Sequence, residues 1–205
     1  MNYLAHAYLS FNIPGLLIGN MISDFVKGRK KFDYRPDILF GIELHRAIDD
    51  FTDFHPATKD AKQLFQPDYG LYSGALMDVV YDYFIANDAS LFTNVSLEDF
   101  SANTYSTLDL HVALLPPAFA AVFPYMKKYN WLLNYRNVTG IERSFEGLAQ
   151  RARYMSDSSA AYRLFVNNID SLKVNYELFF PRLVDFTRKY IADKSNGLFF
   201  PSDHK

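Results

Sequence analysis

GIELHRAIDDFTDFHP, residues 41–56, decides how this chain folds. On a helix advancing about 100° per residue, Leu44, Ile48 and Phe51 form one apolar arc. His45, Asp49, Thr52 and Asp53 fall in an adjoining arc about 100° wide. A solvated face would lie opposite the apolar stripe. These polar groups border it, so they line the edge of a core or a cleft. Pro36 suits the first position of such a helix, and the His55-Pro56 step marks its end.

The helical period continues outward from this segment. NYLAHAYLS (2–10) reads as a short first helix. Pro14 and Gly15 open a second, carrying LLIGNMISDFVKG, with Gly28 as its stop. KGRKKFDYR (27–35) reads as a basic loop. Further helices are expected over 56–66, over 71–88 with apolar residues on most faces, and over 96–115 with Ser96 as N-cap. Pro116-Pro117 interrupts the pattern and opens another over 118–135. One more follows over 139–155, and the last runs from Asp157 to about Ile191 with a break near Pro181. The tail after about residue 193 reads as frayed. Strict alternation bounded by hairpin turns is missing, so the expected architecture is one all-α domain over 1–205.

Composition agrees with a folded domain. The chain has 205 residues, 49% hydrophobic and 17% aromatic, enough to build a core and too apolar for disorder. A net charge of −2 gives no bulk attraction to nucleic acid or to a membrane surface. The chain has no Cys, which excludes disulfides and thiolate metal sites. MNYLAHAYLSFNIPGLLIGN lacks a basic start, and its apolar run is broken by Pro14, so neither a signal peptide nor a membrane span is expected. The expected location is cytoplasmic.

Carboxylates at one-turn spacing carry the chemical argument. Asn20 and Asp24, His45 and Asp49, Asp49 and Asp53, and Asp78 and Asp82 each stand four residues apart. Asp78 and Asp82 sit beside Met77, Val79, Val80 and Tyr81, where a carboxylate is costly unless paired or bound to a cation. Recurrence over three helices points to a shared positive partner. A divalent cation is the simplest, and His with several Asp and no Cys suits Mn²⁺, Mg²⁺ or Fe²⁺ better than Zn²⁺. Singly, each pair is equally open to a local hydrogen bond, Arg46 could neutralise Asp78 and Asp82, and His6 could be a satisfied core histidine. Only the combination carries the expectation. His55, His111 and His204 carry none.

At these residues the chain resembles the acyl carrier protein phosphodiesterases. The resemblance rests on MNYLAHAYLS at the start, GNMISDFVKG (19–28), GIELHRAIDDFTDFHP (41–56) and MDVVYDYF (77–84), with NWLLNY (130–135) and GIERSFEGLAQR (140–151) in support. It implies hydrolysis of the phosphodiester joining 4′-phosphopantetheine to a serine of holo-acyl carrier protein. It also implies an all-helical fold like that of the His-Asp (HD) metal-dependent phosphohydrolases, which use Mn²⁺ or similar ions. Carried over by motif, the site residues are His6, Asn20, Asp24, His45, Arg46, Asp49, Asp53, Asp78 and Asp82. The family pattern has a histidine where this chain has Tyr83.

The roles that follow are expectations. Asp24, His45, Asp49 and Asp82 are the metal ligands, with His6 and Asp78 as alternatives in or behind the ligand set. Arg46 neutralises phosphate oxygens. His6 protonates the serine leaving group. Asn20 and Asp53 contact substrate. Lys27, Arg29, Lys30 and Lys31 form a docking patch for the acidic carrier protein, and Arg143, Arg151 and Arg153 form a second candidate. The competing expectations are an HD-type phosphohydrolase acting on a nucleotide or small ester, and a carrier-protein binder without catalysis.

Overall fold

Pro36 and Pro56 bracket the organising helix. Pro36 stands at its first position, where no backbone donor is needed, and the helix stops at Phe54 because the residue before Pro56 is held extended. His55 then caps the next helix, its Nδ1 accepting from the Ala57 N–H at 3.3 Å. The computed structural model describes residues 1–93, 95–152, 155, 157–195 and 199. Among these the α-helices are α1 Tyr3–Tyr8, α2 Pro14–Ile22, α3 Pro36–Phe54, α4 Pro56–Lys62, α5 Gln66–Tyr69, α6 Ser73–Asn87, α7 Leu97–Leu110, α8 Pro117–Lys128, α9 Trp131–Asn134, α10 Val138–Arg151, α11 Ser158–Asn167 and α12 Ile169–Lys194. The described residues contain no strand, so the fold is all-α. None of their helices is long and apolar enough to cross a membrane.

Several boundaries differ from the expectation. Residues 28–33 are not a loop but a 3-10 segment, Gly28–Asp33, entered through a left-handed Gly28 at φ 59°. The helix expected over 118–135 divides at Asn130, whose φ of 40° no helix tolerates. The last helical region breaks at Asn168, whereas Pro181 lies inside the continuous α12. Ser96 caps α7 as expected, accepting from the Asp99 N–H at 3.1 Å. Arg153, His204 and most of the tail lie outside the described residues.

Two contacts position the site. Phe11 and Asn12 both adopt positive φ, reversing the chain so that α2 returns along α1. Gly19 of α2 then meets Gly41 of α3 so closely that a Cβ on Gly19 would stand 2.7 Å from the Gly41 Cα. That approach brings the backbone of α2 against the polar edge of α3. Beneath both, α6 buries Leu76, Met77, Val79, Val80, Tyr81, Phe84 and Ile85, and packs on α1, α4, α10 and α12. Large rings fill the remainder and keep their polar tips bonded: Tyr81 stacks on Phe179 at 4.7 Å while its hydroxyl meets Thr58 Oγ1 at 3.0 Å.

Candidate metal centre

His45 projects from the middle of α3 and His6 from α1. Their rings stack with centroids 3.8 Å apart and planes 12° from parallel, both buried. Asn20, wholly buried on α2, orients both. Its backbone carbonyl accepts from His45 Nδ1–H at 2.7 Å. Its side-chain oxygen accepts from His6 Nδ1–H at 2.8 Å, while its amide donates to the His6 carbonyl and to Ser10 Oγ. Each imidazole therefore commits Nδ1–H to an oxygen and turns Nε2 the other way, the arrangement that prepares histidine to bind a metal.

Both Nε2 atoms face oxygens. His6 Nε2 stands 3.3 Å from Asp49 Oδ1 and 3.2 Å from the Met1 carbonyl. His45 Nε2 stands 3.1 Å from Asp49 Oδ2 and 3.2 Å from Asp24 Oδ1. Burial lowers the His6 pKa to about 4, and His45 adds to this, so His6 is neutral at pH 7 and presents a lone pair to acceptors. Burial also opposes charge on His45, but hydrogen bonds and charge from Asp24 and Asp49 outweigh it and raise its pKa to about 9. Burial likewise opposes charge on Asp49, yet the Met1 ammonium and both imidazoles hold it far below the usual carboxylate range. Without an ion the His45 Nε2–H supplies the positive charge between Asp24 and Asp49, and only His6 turns a lone pair toward acceptors. A divalent cation would replace that proton and meet both Nε2 atoms. The ligand atoms of His6, His45 and Asp49 lie within 4.8 Å of one another, and Asp24 stands at the exposed mouth. Two imidazoles with carboxylate oxygens fit a divalent cation.

Residues 1–183 match the acyl carrier protein phosphodiesterase family. The chain belongs to this family. Relatives named acyl carrier protein phosphodiesterase include one from Yersinia pestis, 30% identical over 90% of this chain and 96% of its own length. Another, from Enterobacter sp. (strain 638), has the same identity and coverage. One from Photorhabdus laumondii is 28% identical over 90% of this chain and 94% of its own. No solved structure matches the chain.

Other residues expected in the site are placed differently. Asp82 is fully buried, and its two oxygens accept from the Leu4 N–H at 2.8 Å and the Ala5 N–H at 3.0 Å. It caps the start of α1, and the expectation that it ligates an ion is corrected on that ground. Burial raises its pKa to about 7, the two amides pulling the other way. Asp78, one turn earlier, pairs with the Met1 ammonium at 3.1 Å, and that ammonium also meets Asp49 at 2.9 Å. The i,i+4 pair on α6 thus serves two different partners.

Asn20 was expected to touch substrate, but its buried amide is fully used in holding His6. Arg46 donates to the Val26 carbonyl at 3.2 Å and braces the segment after Asp24, so no phosphate-binding role follows from its placement. Asp53 pairs with Lys62. Lys27, Arg29 and Lys30 are exposed, whereas Lys31 pairs with Glu43 at 2.9 Å. Tyr83 lies edge-on to Phe165, with ring centroids 5.1 Å apart, in an aromatic cluster. Sequence reasoning missed Ser10, Met1 and the Lys59–Lys62 turn of α4. The four-residue spacing of His6 and Ser10 was the available clue for the first.

Proposed function

We propose that this chain is a divalent-metal-dependent hydrolase that releases 4′-phosphopantetheine from the serine of holo-acyl carrier protein, leaving the apo form. Family membership gives the reaction. The observation that carries the metal is the convergence of two Nε2 atoms, each with Nδ1–H already spent, on one half-buried carboxylate. His6, His45 and Asp49 would hold the ion, with Asp24 completing the set at the mouth. Mn²⁺ is the ion we expect, and Mg²⁺ or Fe²⁺ would suit the same donors. When bound, such an ion supplies a hydroxide near neutral pH and charge stabilisation for a phosphoryl oxygen.

The chain's own residues do the rest. Asn20 fixes both imidazoles. Asp82 fixes the end of α1 and so the height of His6. The buried floor of aliphatic and aromatic side chains keeps water from the rear of the site. Lys27, Arg29 and Lys30, on the segment directly after Asp24, meet the acidic carrier protein, and Arg46 holds that segment in place. The reading places the chain in the cytoplasm, with its substrate.

The test is direct. Holo-carrier protein is incubated with the chain and Mn²⁺ and weighed by mass spectrometry. Loss of the whole prosthetic arm is expected. Holo-protein left intact with Mn²⁺, Mg²⁺ and Fe²⁺ alike rejects the proposal.

A further inference from the structure

A groove of about 700 Å³ opens beside this centre, lined by Asp78, Lys59, Lys62, Gln63, Gln66 and Ser73. It approaches the centre through Asp78 and Asp53, the lining residues nearest Asp49. Asp78 lines the groove and shares the Met1 ammonium with Asp49. Asp53, one turn beyond Asp49 on α3, forms part of the same wall. The lining is polar and balanced in charge: two lysines, Lys59 and Lys62, face two carboxylates, Asp53 and Asp78. Lys62 is paired with Asp53, and the amides of Gln63 and Gln66 and the hydroxyl of Ser73 stand beside them. The floor is the first turn of α6, where Gly74 leaves the space open beside Lys62.

The basic segment lies at the other end of α3. Lys31 pairs with Glu43, and Lys62 pairs with Asp53. Ten residues of helix separate Glu43 from Asp53, roughly 15 Å at the helical rise. His45 and Asp49 stand between them. A substrate crossing the centre at His45 and Asp49 therefore has the groove one turn further along the polar edge of α3, at Asp53, and the basic segment that follows Asp24 on the other side.

We propose that the groove receives the pantetheine arm of the substrate. This rests on the hydrolase reading above and gives the substrate its direction. The carrier protein sits over Lys27, Arg29 and Lys30, the phosphorus stands at His45 and Asp49, and the arm runs toward Gln63 and Gln66. The arm is a flexible neutral chain with two amides and a hydroxyl. Gln63, Gln66 and Ser73 offer donors and acceptors of matching kind, and a strongly basic groove would instead have suited a second anion. Water gives its hydroxyl to phosphorus and a proton to the departing serine oxygen, the serine leaves toward the basic end, and the released 4′-phosphopantetheine is held in the groove.

Pantetheine, which lacks the phosphate, probes the groove without needing the metal. In the full chain with Mn²⁺ it should inhibit cleavage of holo-carrier protein competitively. Two variants test the lining. Gly74→Phe fills the floor, and Gln63→Ala with Gln66→Ala removes two amides at exposed positions, where folding is not at stake. Each should raise the inhibition constant of pantetheine by about tenfold, the worth of one or two hydrogen bonds. Each should also slow holo-carrier cleavage more than hydrolysis of bis-p-nitrophenyl phosphate, which has no arm. Arg29→Glu with Lys30→Glu should raise KM for holo-carrier protein without moving the pantetheine constant.

If pantetheine does not inhibit, or inhibits both groove variants as well as wild type, while wild type still cleaves holo-carrier protein, the groove assignment falls and the hydrolase reading stands. Failure of the wild type to cleave holo-carrier protein overturns both.

Discussion

Asp82→Ala separates a structural carboxylate from a metal ligand. In the wild type its oxygens accept two buried backbone N–H groups, from Leu4 and Ala5. The alanine variant leaves both donors without a partner. Each unsatisfied buried donor costs about 1–3 kcal/mol, and removing the carboxylate relieves its own burial cost, so the net loss should be about 3 kcal/mol. For a chain of this size that is about 6–12 °C in Tm. The six residues of α1 cannot hold a helix alone, so the loss of the cap loosens the element that carries His6.

Asp82→Asn keeps one acceptor and should fall between wild type and alanine. The pH dependence has a definite sign. The folded carboxyl has a pKa of about 7 against an ordinary value of 3.8, because burial penalises the charge. Between those values the folded chain binds more protons than the unfolded chain. The stabilisation from Asp82 is therefore complete below about pH 4 and is lost as pH rises through about 7. The difference in Tm between wild type and Asp82→Asn should be larger at pH 5 than at pH 8. Thermal unfolding by circular dichroism and Mn²⁺ titration by calorimetry read both sides. An alanine variant with unchanged Tm that binds Mn²⁺ more than about 100-fold more weakly would refute the reasoning and return Asp82 to the ligand set.

Asn20→Ala should weaken Mn²⁺ binding by about 10–100-fold, because both imidazoles lose a fixed partner or its backbone support, and saturating Mn²⁺ should recover part of the turnover. Calorimetry and a Mn²⁺ titration of activity measure this. Gly41→Ala should displace α2 from α3, since its Cβ would stand 2.6 Å from the Leu16 carbonyl. A drop of about 1–3 kcal/mol in urea unfolding, with a parallel loss of Mn²⁺ affinity, is expected. Exhaustive chelation should abolish cleavage of holo-carrier protein, with Mn²⁺ restoring it in wild type but not in Asp49→Ala. Activity surviving in the chelated wild type would remove the metal from the reaction. Charge reversal at Arg29 and Lys30 should raise KM for holo-carrier protein steeply at low salt and less at 0.5 M salt, where roughly 4 Å of screening length remains.

The organising helix was legible because its ends are marked by proline and its apolar and polar arcs differ in composition. Pro36–Phe54 follows from those facts, and so does the placement of His45 and Asp49 at the edge of the core. The breaks at Asn130 and Asn168 were not legible. Each depends on where tertiary packing ends a helix, and neither position carries a proline or glycine. Pro181 misled for the converse reason: inside a long helix held by packing on α3 and α4, the loss of one backbone donor is absorbed.

The carboxylate pairs show why spacing reaches a cluster but not its members. Residues four apart share a helix face, yet what a carboxylate meets is set by the neighbouring helix. Asp78 and Asp82 share α6, but the start of α1 packs against that face. Its start meets Asp82 as two backbone N–H groups, and the residue before it meets Asp78 as an ammonium. Asp49 and Asp53 share α3, but His6 of α1 and the Met1 ammonium meet the first while α4 brings Lys62 to the second. In each pair one acid lies where two imidazoles or an ammonium converge, and the other is neutralised by a backbone terminus or a lysine. The like-charge repulsion inside each pair is thereby relieved by different partners, which is why a single shared cation is not required to explain all four acids. What favours a cation is narrower: the Nε2 atoms of His6 and His45 converge on the half-buried Asp49 carboxylate, where a divalent ion would take the place of the proton that His45 otherwise holds.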